Sequence, residues 1–369
     1  MFINLYKQRI KFYGGGNIML EKMSSGERML GVITKSKIDR VPVLAMGSAY
    51  EAYLCKKTLE EYYNNPKLVY ECQKWVHSML QDDGGVGYNI PGGYNLDFGG
   101  ELKYSRNPCV QPIAKKLIIN DIKEVNHLKV PDLKKAPLTK LSMEFDRICM
   151  DNGEGVGVTA GSPMEVANDL IGINNLVKWT LKEPEAIHKV LRVSTDYLLE
   201  TIKLRINEFG AENCGAFLPL PLESHHIISP KMFKEISLPY IKEIFTYLID
   251  AGVKKWTIHL CGNHINNIET ILEELPIVPR TVFSIGGEME LEEVSKIIGK
   301  DHILAGNLST SIINVGTPQE VYDETTRLLK KVMNREGGYI MCPSCAIPPK
   351  TSAVNIHAMI KAVKDNGKY

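Results

Sequence analysis

His259 and Cys261 lie two residues apart in the stretch "WTIHLCGNH", residues 256 to 264, at the end of an apolar run and directly before a glycine pair-breaker, Gly262. Alternate residues of a strand face the same side, so the imidazole and the thiol project together. Both are zinc donors, binding at about 2.0 to 2.3 Å. Two donors do not make a site, and the pair alone also fits a packed histidine beside a buried cysteine. A later stretch, "GGYIMCPSCAIPP", carries Cys342 and Cys345 at and just beyond the end of another apolar run. Three protein donors with a fourth position open form a catalytic zinc site, whereas four close it as a structural one. Residue types alone do not choose between Cys342 and Cys345. The Cys-Pro-Ser-Cys pair also allows a redox dithiol, although no thioredoxin-like pattern surrounds it.

Between these stretches, "PLPLESHHIISP" brings Glu223, His225 and His226 into one loop. Glu223 is the candidate fourth ligand, or the base that takes a proton from an incoming nucleophile. His225 is a candidate substrate contact, and Glu288 and Asn307, after two later strands, are candidates for orienting substrate. His264 reads as a helix-start residue and His302 as a surface residue. Cys72, Cys149 and Cys214 read as small buried apolar residues.

The elements that must position these groups are legible as short β-rich runs alternating with longer amphipathic segments. The runs cover residues 41–46, 86–90, 155–160, 215–220, 256–261, 281–285, 302–307 and 338–342. Eight strands alternating with helices predict a (β/α)8 TIM barrel, with substrate bound where the strands end. No G-x-G-x-x-G follows the first strand, which removes the main cue for a dinucleotide fold. Helix starts are marked by Thr317-Pro318 with Glu320, by Ser229-Pro230, and by a split at Pro184. The Gly-, Pro- and Tyr-rich stretch 91–137 is too long for an ordinary connection and predicts an insertion after the second strand, with a hairpin over the barrel mouth.

The 369 residues, 44% apolar and 24% charged, have ordinary globular composition, and a net charge of +1 gives no reason to expect nucleic acid or an anionic membrane as partner. No apolar run approaches the roughly 20 residues of a membrane span. Residues 1–18 read as an N-terminal extension, and residues 19–369 as one catalytic TIM-barrel domain. Eight scattered cysteines suit a reducing cytoplasm better than a disulfide framework.

Taken together, "GERMLGVITKSKIDRVPV", "SPKMFKEISLPY", "HLCGN", "ILAGNLSTSIINVGTPQEV" and "GGYIMCPSCAIPPKTSAVNIHAMIKAV" resemble the uroporphyrinogen decarboxylase superfamily. Within it they resemble the zinc-dependent corrinoid methyltransferases typified by methylcobamide:coenzyme M methyltransferases, over nearly the whole chain after Met19. The most specific part pairs H-x-C-G with a late G-G-x-x-x-x-x-x-C. The resemblance implies zinc held by His259, Cys261 and Cys345, a corrinoid carried by a partner protein, and a small-molecule methyl donor or acceptor such as a thiol. A homodimer is kept as the candidate oligomer. Two departures matter. The decarboxylases carry an arginine-bearing M-R-Q-A-G-R-Y segment after the first strand, where this chain reads "MGSAY", and many methyltransferase relatives have an aspartate and small residues where it reads "LPLESHH". The competing expectations are a decarboxylase-type lyase acting without metal and a non-catalytic barrel with a structural zinc.

Overall fold

The computed structural model describes residues 21–369, so the extension expected over residues 1–18 lies outside the described residues. A short antiparallel hairpin, β1 (Leu102–Lys103) and β2 (Ile113–Ala114), lies in the expected insertion. The main sheet follows: β3 (Val156–Thr159), β4 (Cys214–Pro219), β5 (Lys255–Leu260), β6 (Val282–Ile285), β7 (Ile303–Ala305) and β8 (Tyr339–Ile340). These six strands pair in chain order and all in parallel, with helices in each connection. Parallel pairing needs such crossovers, and helices covering the sheet explain why β7 and β8 are buried at every residue.

The first predicted strand joins the far edge of β8, which is the connection a (β/α)8 barrel requires. Val43 bridges Met341 in parallel, Leu44 N–H donates to Met341 O, and Met341 N–H donates to Pro42 O, each at 2.9 Å. Among the described residues its other edge has no strand neighbour. Instead Asp83 Oδ2 accepts from Val43 N–H at 2.9 Å, Asp82 Oδ2 accepts from Ala45 N–H at 2.7 Å, and Asp83 N–H donates to Val43 O at 2.7 Å. The second predicted strand, 86–90, is likewise not paired in a ladder. The Gln73 side chain both donates to Gly87 O and accepts from Gly87 N–H, each at 2.8 Å. Buried backbone groups must find partners, and here carboxylates and an amide supply them in place of a strand.

Helix boundaries follow the sequence signals closely. Thr317 and Glu320 form the reciprocal cap of the Pro318–Val332 helix, and Pro184 opens the Pro184–Phe209 helix. The helix expected from Ser229 onward differs, since Phe233–Ser237 is a π-helical turn before Leu238–Asp250 resumes α geometry. Pro239 has no N–H for the Glu235 carbonyl and its ring crowds that carbonyl, so the backbone widens there. The Pro163–Lys182 helix is interrupted at Gly172, φ 74°, where a Cβ would come within 3.1 Å of Leu117. Ile118 and Ile119 N–H donate to Leu170 O beside that break, at 2.9 and 3.1 Å, and so fasten the insertion to the barrel. Cys72, Cys149 and Cys214 are buried as expected. Among the described residues no helix is long and apolar enough to cross a membrane.

The first-strand aspartates are themselves held by charge. Arg28, fully buried, donates to Asp83 Oδ1 at 2.6 Å and to Asp39 Oδ1 at 2.7 Å, while Arg40 donates to Asp83 Oδ2 at 2.6 Å. Replacing Asp83 removes the carboxylate shared by two buried guanidinium groups, which keep only Asp39 and Glu21 as carboxylate partners, and leaves Val43 N–H unpaired. Asp83→Ala is expected to cost about 3 to 5 kcal/mol, read as the loss in unfolding free energy in urea.

Candidate metal centre

β5 ends at Leu260, so His259 sits on its penultimate position and Cys261 one residue past its end; Cys345 follows β8 by five residues. Parallel strands bring these ends to one side of the sheet. A nitrogen of His259 and the sulfurs of Cys261 and Cys345 lie within 4.8 Å of one another. The two Sγ atoms are 3.8 Å apart. Two thiolates at about 2.3 Å from one tetrahedral ion stand about 3.8 Å apart, whereas a disulfide needs about 2.05 Å. The donor set and spacing therefore fit zinc. Cys342 is outside the cluster: it is fully buried among apolar neighbours, and burial pushes its thiol up to about 12.

Local sequence explains how each donor is aimed. His259 pairs across the sheet with Ser284 of β6, and its Nδ1 lies 3.0 Å from Ser284 Oγ, which leaves Nε2 for an ion. Gly262, φ 88°, turns the chain sharply after Cys261, and a Cβ there would lie 2.9 Å from Ser224 Cβ. His264 opens the Ile265–Glu274 helix, as expected of a helix-start residue, and its Nε2 lies 3.1 Å from Cys261 O. Hydrogen bonds from Cys261 and then His259 hold Cys345 low, while that same bond to Cys345, followed by burial, pushes Cys261 up, with Glu288 and Glu165 adding to the rise.

The remaining predicted site residues take different places. Glu223 is fully buried, with Oε1 accepting from Ser162 Oγ and from Ser237 Oγ, the latter at 2.9 Å; it is not one of the clustered donors. Burial pushes its carboxyl up to about 7 against the pull of those two hydroxyls, and Oε2 has no partner. Glu288 is exposed on the loop after β6. Asn307, after β7, donates to Gly286 O at 2.9 Å and Met289 O at 2.7 Å, thereby bracing the loop that carries Glu288. His225 accepts from Asn266 N–H at 3.2 Å, on the first turn of the Ile265–Glu274 helix. His302 is half-buried beside Phe283.

The family model described as uroporphyrinogen decarboxylase (URO-D) matches residues 24–366. The chain belongs to the URO-D family. One relative is a methylated-thiol–coenzyme M methyltransferase of Methanosarcina mazei, 24% identical over 208 residues, 55% of this chain and 51% of that protein. A methylcobamide:CoM methyltransferase MtaA of Methanosarcina barkeri is 26% identical over 215 residues, 57% of this chain and 58% of the relative. The chain thus spans about half the length of these methyltransferases. A chloroplastic uroporphyrinogen decarboxylase 2 of rice, Oryza sativa, is 23% identical over 321 residues, 81% of this chain and 78% of that enzyme. A solved methyltransferase structure from Methanosarcina mazei superposes with a TM-score of 0.75 at 18% identity, covering 93% of this chain and 99% of that one. The URO-D family's TIM barrel is therefore the fold of this chain.

Three groups at the site escape a reading of motifs. Ser284 is one of two hydroxyl residues in the run "TVFSI", and nothing in that run singles it out. Glu165 and Asp169 sit four residues apart on the first turns of the Pro163–Lys182 helix, outside any motif. Burial, then Asp169 and Glu223, pushes Glu165 up to about 8, and burial pushes Asp169 up to about 7.

Zinc analysis of purified variants is expected to show loss of the metal in Cys261→Ala and Cys345→Ala and its retention in Cys342→Ala. Ser284→Ala is expected to weaken zinc binding about 10- to 100-fold by freeing the imidazole to rotate, as measured by competition with a chelating dye. Glu165, Asp169 and Glu223 keep their protons in the fold to about 7 or 8, whereas in the unfolded chain they lose them near 4 to 4.5. The folded state thus binds more protons across that window. Stability of the metal-free protein is expected to fall as pH rises from about 4.5 to about 8, seen as a declining thermal midpoint.

Proposed function

We propose that this protein is a zinc-dependent methyltransferase, moving a methyl group between a corrinoid (cobalamin) held by a partner protein and a small thiol or another small methyl acceptor or donor. The observation carrying the reading is the cluster of His259, Cys261 and Cys345, with sulfurs 3.8 Å apart at the strand ends where such barrels bind substrate. Three protein donors leave one tetrahedral position for substrate, as in catalytic rather than structural zinc. The methyltransferase names of several relatives support the same reading.

Zinc bound there supplies the Lewis acidity that favours the deprotonated form of a substrate thiol, and a corrinoid supplies the cobalt that gives or receives the methyl group. The chain's own residues hold, aim and exchange protons. With Nδ1 of His259 beside Ser284 Oγ, Nε2 would be the nitrogen left for the ion, and the two sulfurs as thiolates would balance a divalent charge. Glu223 is the proton acceptor in this reading: Ser162 and Ser237 occupy Oε1, and Oε2 stays free to take a proton. A carboxyl raised to about 7 works in either direction near neutrality. Glu288 contributes to the substrate side of the pocket, and Asn307 and His225 act as positioning residues for the two loops around it.

A decarboxylase-type lyase is the second reading, because the rice decarboxylase aligns over more of this chain than the two methyltransferases do. It leaves the sulfur–imidazole cluster without a task, and "MGSAY" offers no arginine to a porphyrinogen carboxylate.

Mixing the zinc-loaded protein with methylcobalamin and a thiol panel, then with reduced cobalamin and a panel of methyl donors, tests the proposal through the cobalt spectrum. One half is expected to show conversion that Cys261→Ala abolishes. No conversion in either half, together with metal-independent turnover of a porphyrinogen, would sink the methyltransferase reading in favour of the lyase.

A further inference from the structure

A cavity opens on the face where the barrel strands begin, opposite the strand ends that carry the metal cluster. Arg280 stands two residues before β6, Gly338 directly before β8, and Lys35 and Lys37 follow the Ser25–Thr34 helix on the way to the first strand. Together they line a volume of about 330 Å³. Arg335 and Glu336 are its other charged walls, so four cationic side chains meet a single acidic one. Among the described residues none of these five forms an ion pair. Residues 1–20 contain no Asp or Glu that could pair with the cations.

The two arginines are held by backbone rather than by acids. Arg280 donates from Nε to Ile33 O at 3.1 Å and from Nη2 to Val32 O at 2.6 Å, while its Nη1 is shielded from solvent and has no partner among the described residues. Arg335 donates to Ser295 Oγ and to the carbonyls of His302, Gly338 and Gly299. Neutral acceptors satisfy N–H groups and leave the charge uncancelled. Burial, and then Arg280, accordingly pull Arg335 down to about 10, and burial lowers Arg280 although Asp301 opposes it. Arg280 and Lys35 also hold left-handed backbone, φ 67° and 57°, which glycine would adopt without strain. Beside these cations, Met333 gives apolar surface, and Tyr369 presents an exposed ring whose hydroxyl is tied to Met333 O at 2.8 Å.

We propose that this cavity binds a nucleoside phosphate, its phosphoryl groups among Lys35, Lys37 and Arg280 and its base against Met333 and the Tyr369 ring. Charge, size and the fixed ring argue for that class. A phosphoryl group concentrates about one and a half to two negative charges at neutral pH, where a carboxylate carries one, and it suits ammonium and guanidinium donors. The volume falls at the lower end of the roughly 300 to 1,000 Å³ typical of small-molecule sites, more than a bare ion fills. An aromatic face beside cations is the pairing that stacks a base while holding its phosphates. The site shares no residue with the metal cluster, so the inference is independent of the proposed methyl transfer.

Calorimetric titration of the zinc-loaded protein with ADP, inorganic phosphate and citrate tests the proposal, because the three separate a nucleotide from phosphate alone and from carboxylates. ADP is expected to saturate one site per chain and to bind at least about tenfold more tightly than either anion. The double variant Lys35→Gly/Lys37→Ala is expected to weaken ADP about tenfold or more. Both lysines are exposed and glycine suits the Lys35 backbone, so the fold is kept. Cys261→Ala, which disables the metal centre, is expected to leave ADP affinity within about twofold, as distant sites do. Phosphate or citrate binding as tightly as ADP overturns the proposal, as does the lack of any saturable ADP binding; neither comparison needs a variant. Full ADP affinity in the lysine variant, or its loss in Cys261→Ala, would place the binding elsewhere and overturn it equally.

Discussion

The parallel pairing of β5 with β6 is the interaction on which the site depends. Its register sets His259 opposite Ser284, so one hydroxyl holds the imidazole while the next turn of chain carries Cys261 outward. A shift of one residue would send His259 to the opposite face and separate it from the sulfurs. The same parallel order, continued through β7 to β8, brings Cys345 from 84 residues away to within 3.8 Å of Cys261. No local motif could accomplish that; it requires every strand to end on one side.

Around this register the loops are fixed mainly by side-chain amides and imidazoles bonded to backbone. Asn267 donates to Glu223 O at 2.9 Å, Asn307 holds two carbonyls of the loop after β6, and His264 meets Cys261 O. Loops at a barrel mouth have no ladder partners, so their carbonyls are satisfied by such groups instead. Several polar residues of the mouth therefore spend hydrogen-bonding groups on backbone, and some keep a buried atom without a partner. Asn307 donates to two loop carbonyls and His225 Nε2 accepts a backbone N–H, while His225 Nδ1 and one oxygen each of Glu165 and Glu223 have no partner.

The far half of the barrel solves a different problem. Where a second strand would complete the ladder, Asp82, Asp83 and Gln73 satisfy the backbone, and Arg28 and Arg40 neutralise Asp83. Charged pairs are poor sources of stability but severe when broken, so this arrangement fixes one geometry at the first strand rather than strengthening it. The π turn at Phe233–Ser237 has a comparable local effect, since it places Ser237 within 2.9 Å of Glu223.

Much of this was legible in the residue order. Alternation of apolar runs with helical segments announced the barrel, Ser-Pro and Thr-Pro pairs marked helix starts, and H-x-C with a late cysteine marked the imidazole and thiols that the fold clusters. Periodicity and capping are local, and local rules suffice for them. The resemblance to relatives was needed to prefer Cys345, because at two cysteines three residues apart the chemistry is the same and only position differs. The roles of Ser284, Glu165 and Asp169, the unpaired run at 86–90 and the bracing task of Asn307 were decided by the tertiary structure alone. Each depends on which groups from distant segments share a buried space, and burial with or without a partner is a property of that packing rather than of any stretch of chain.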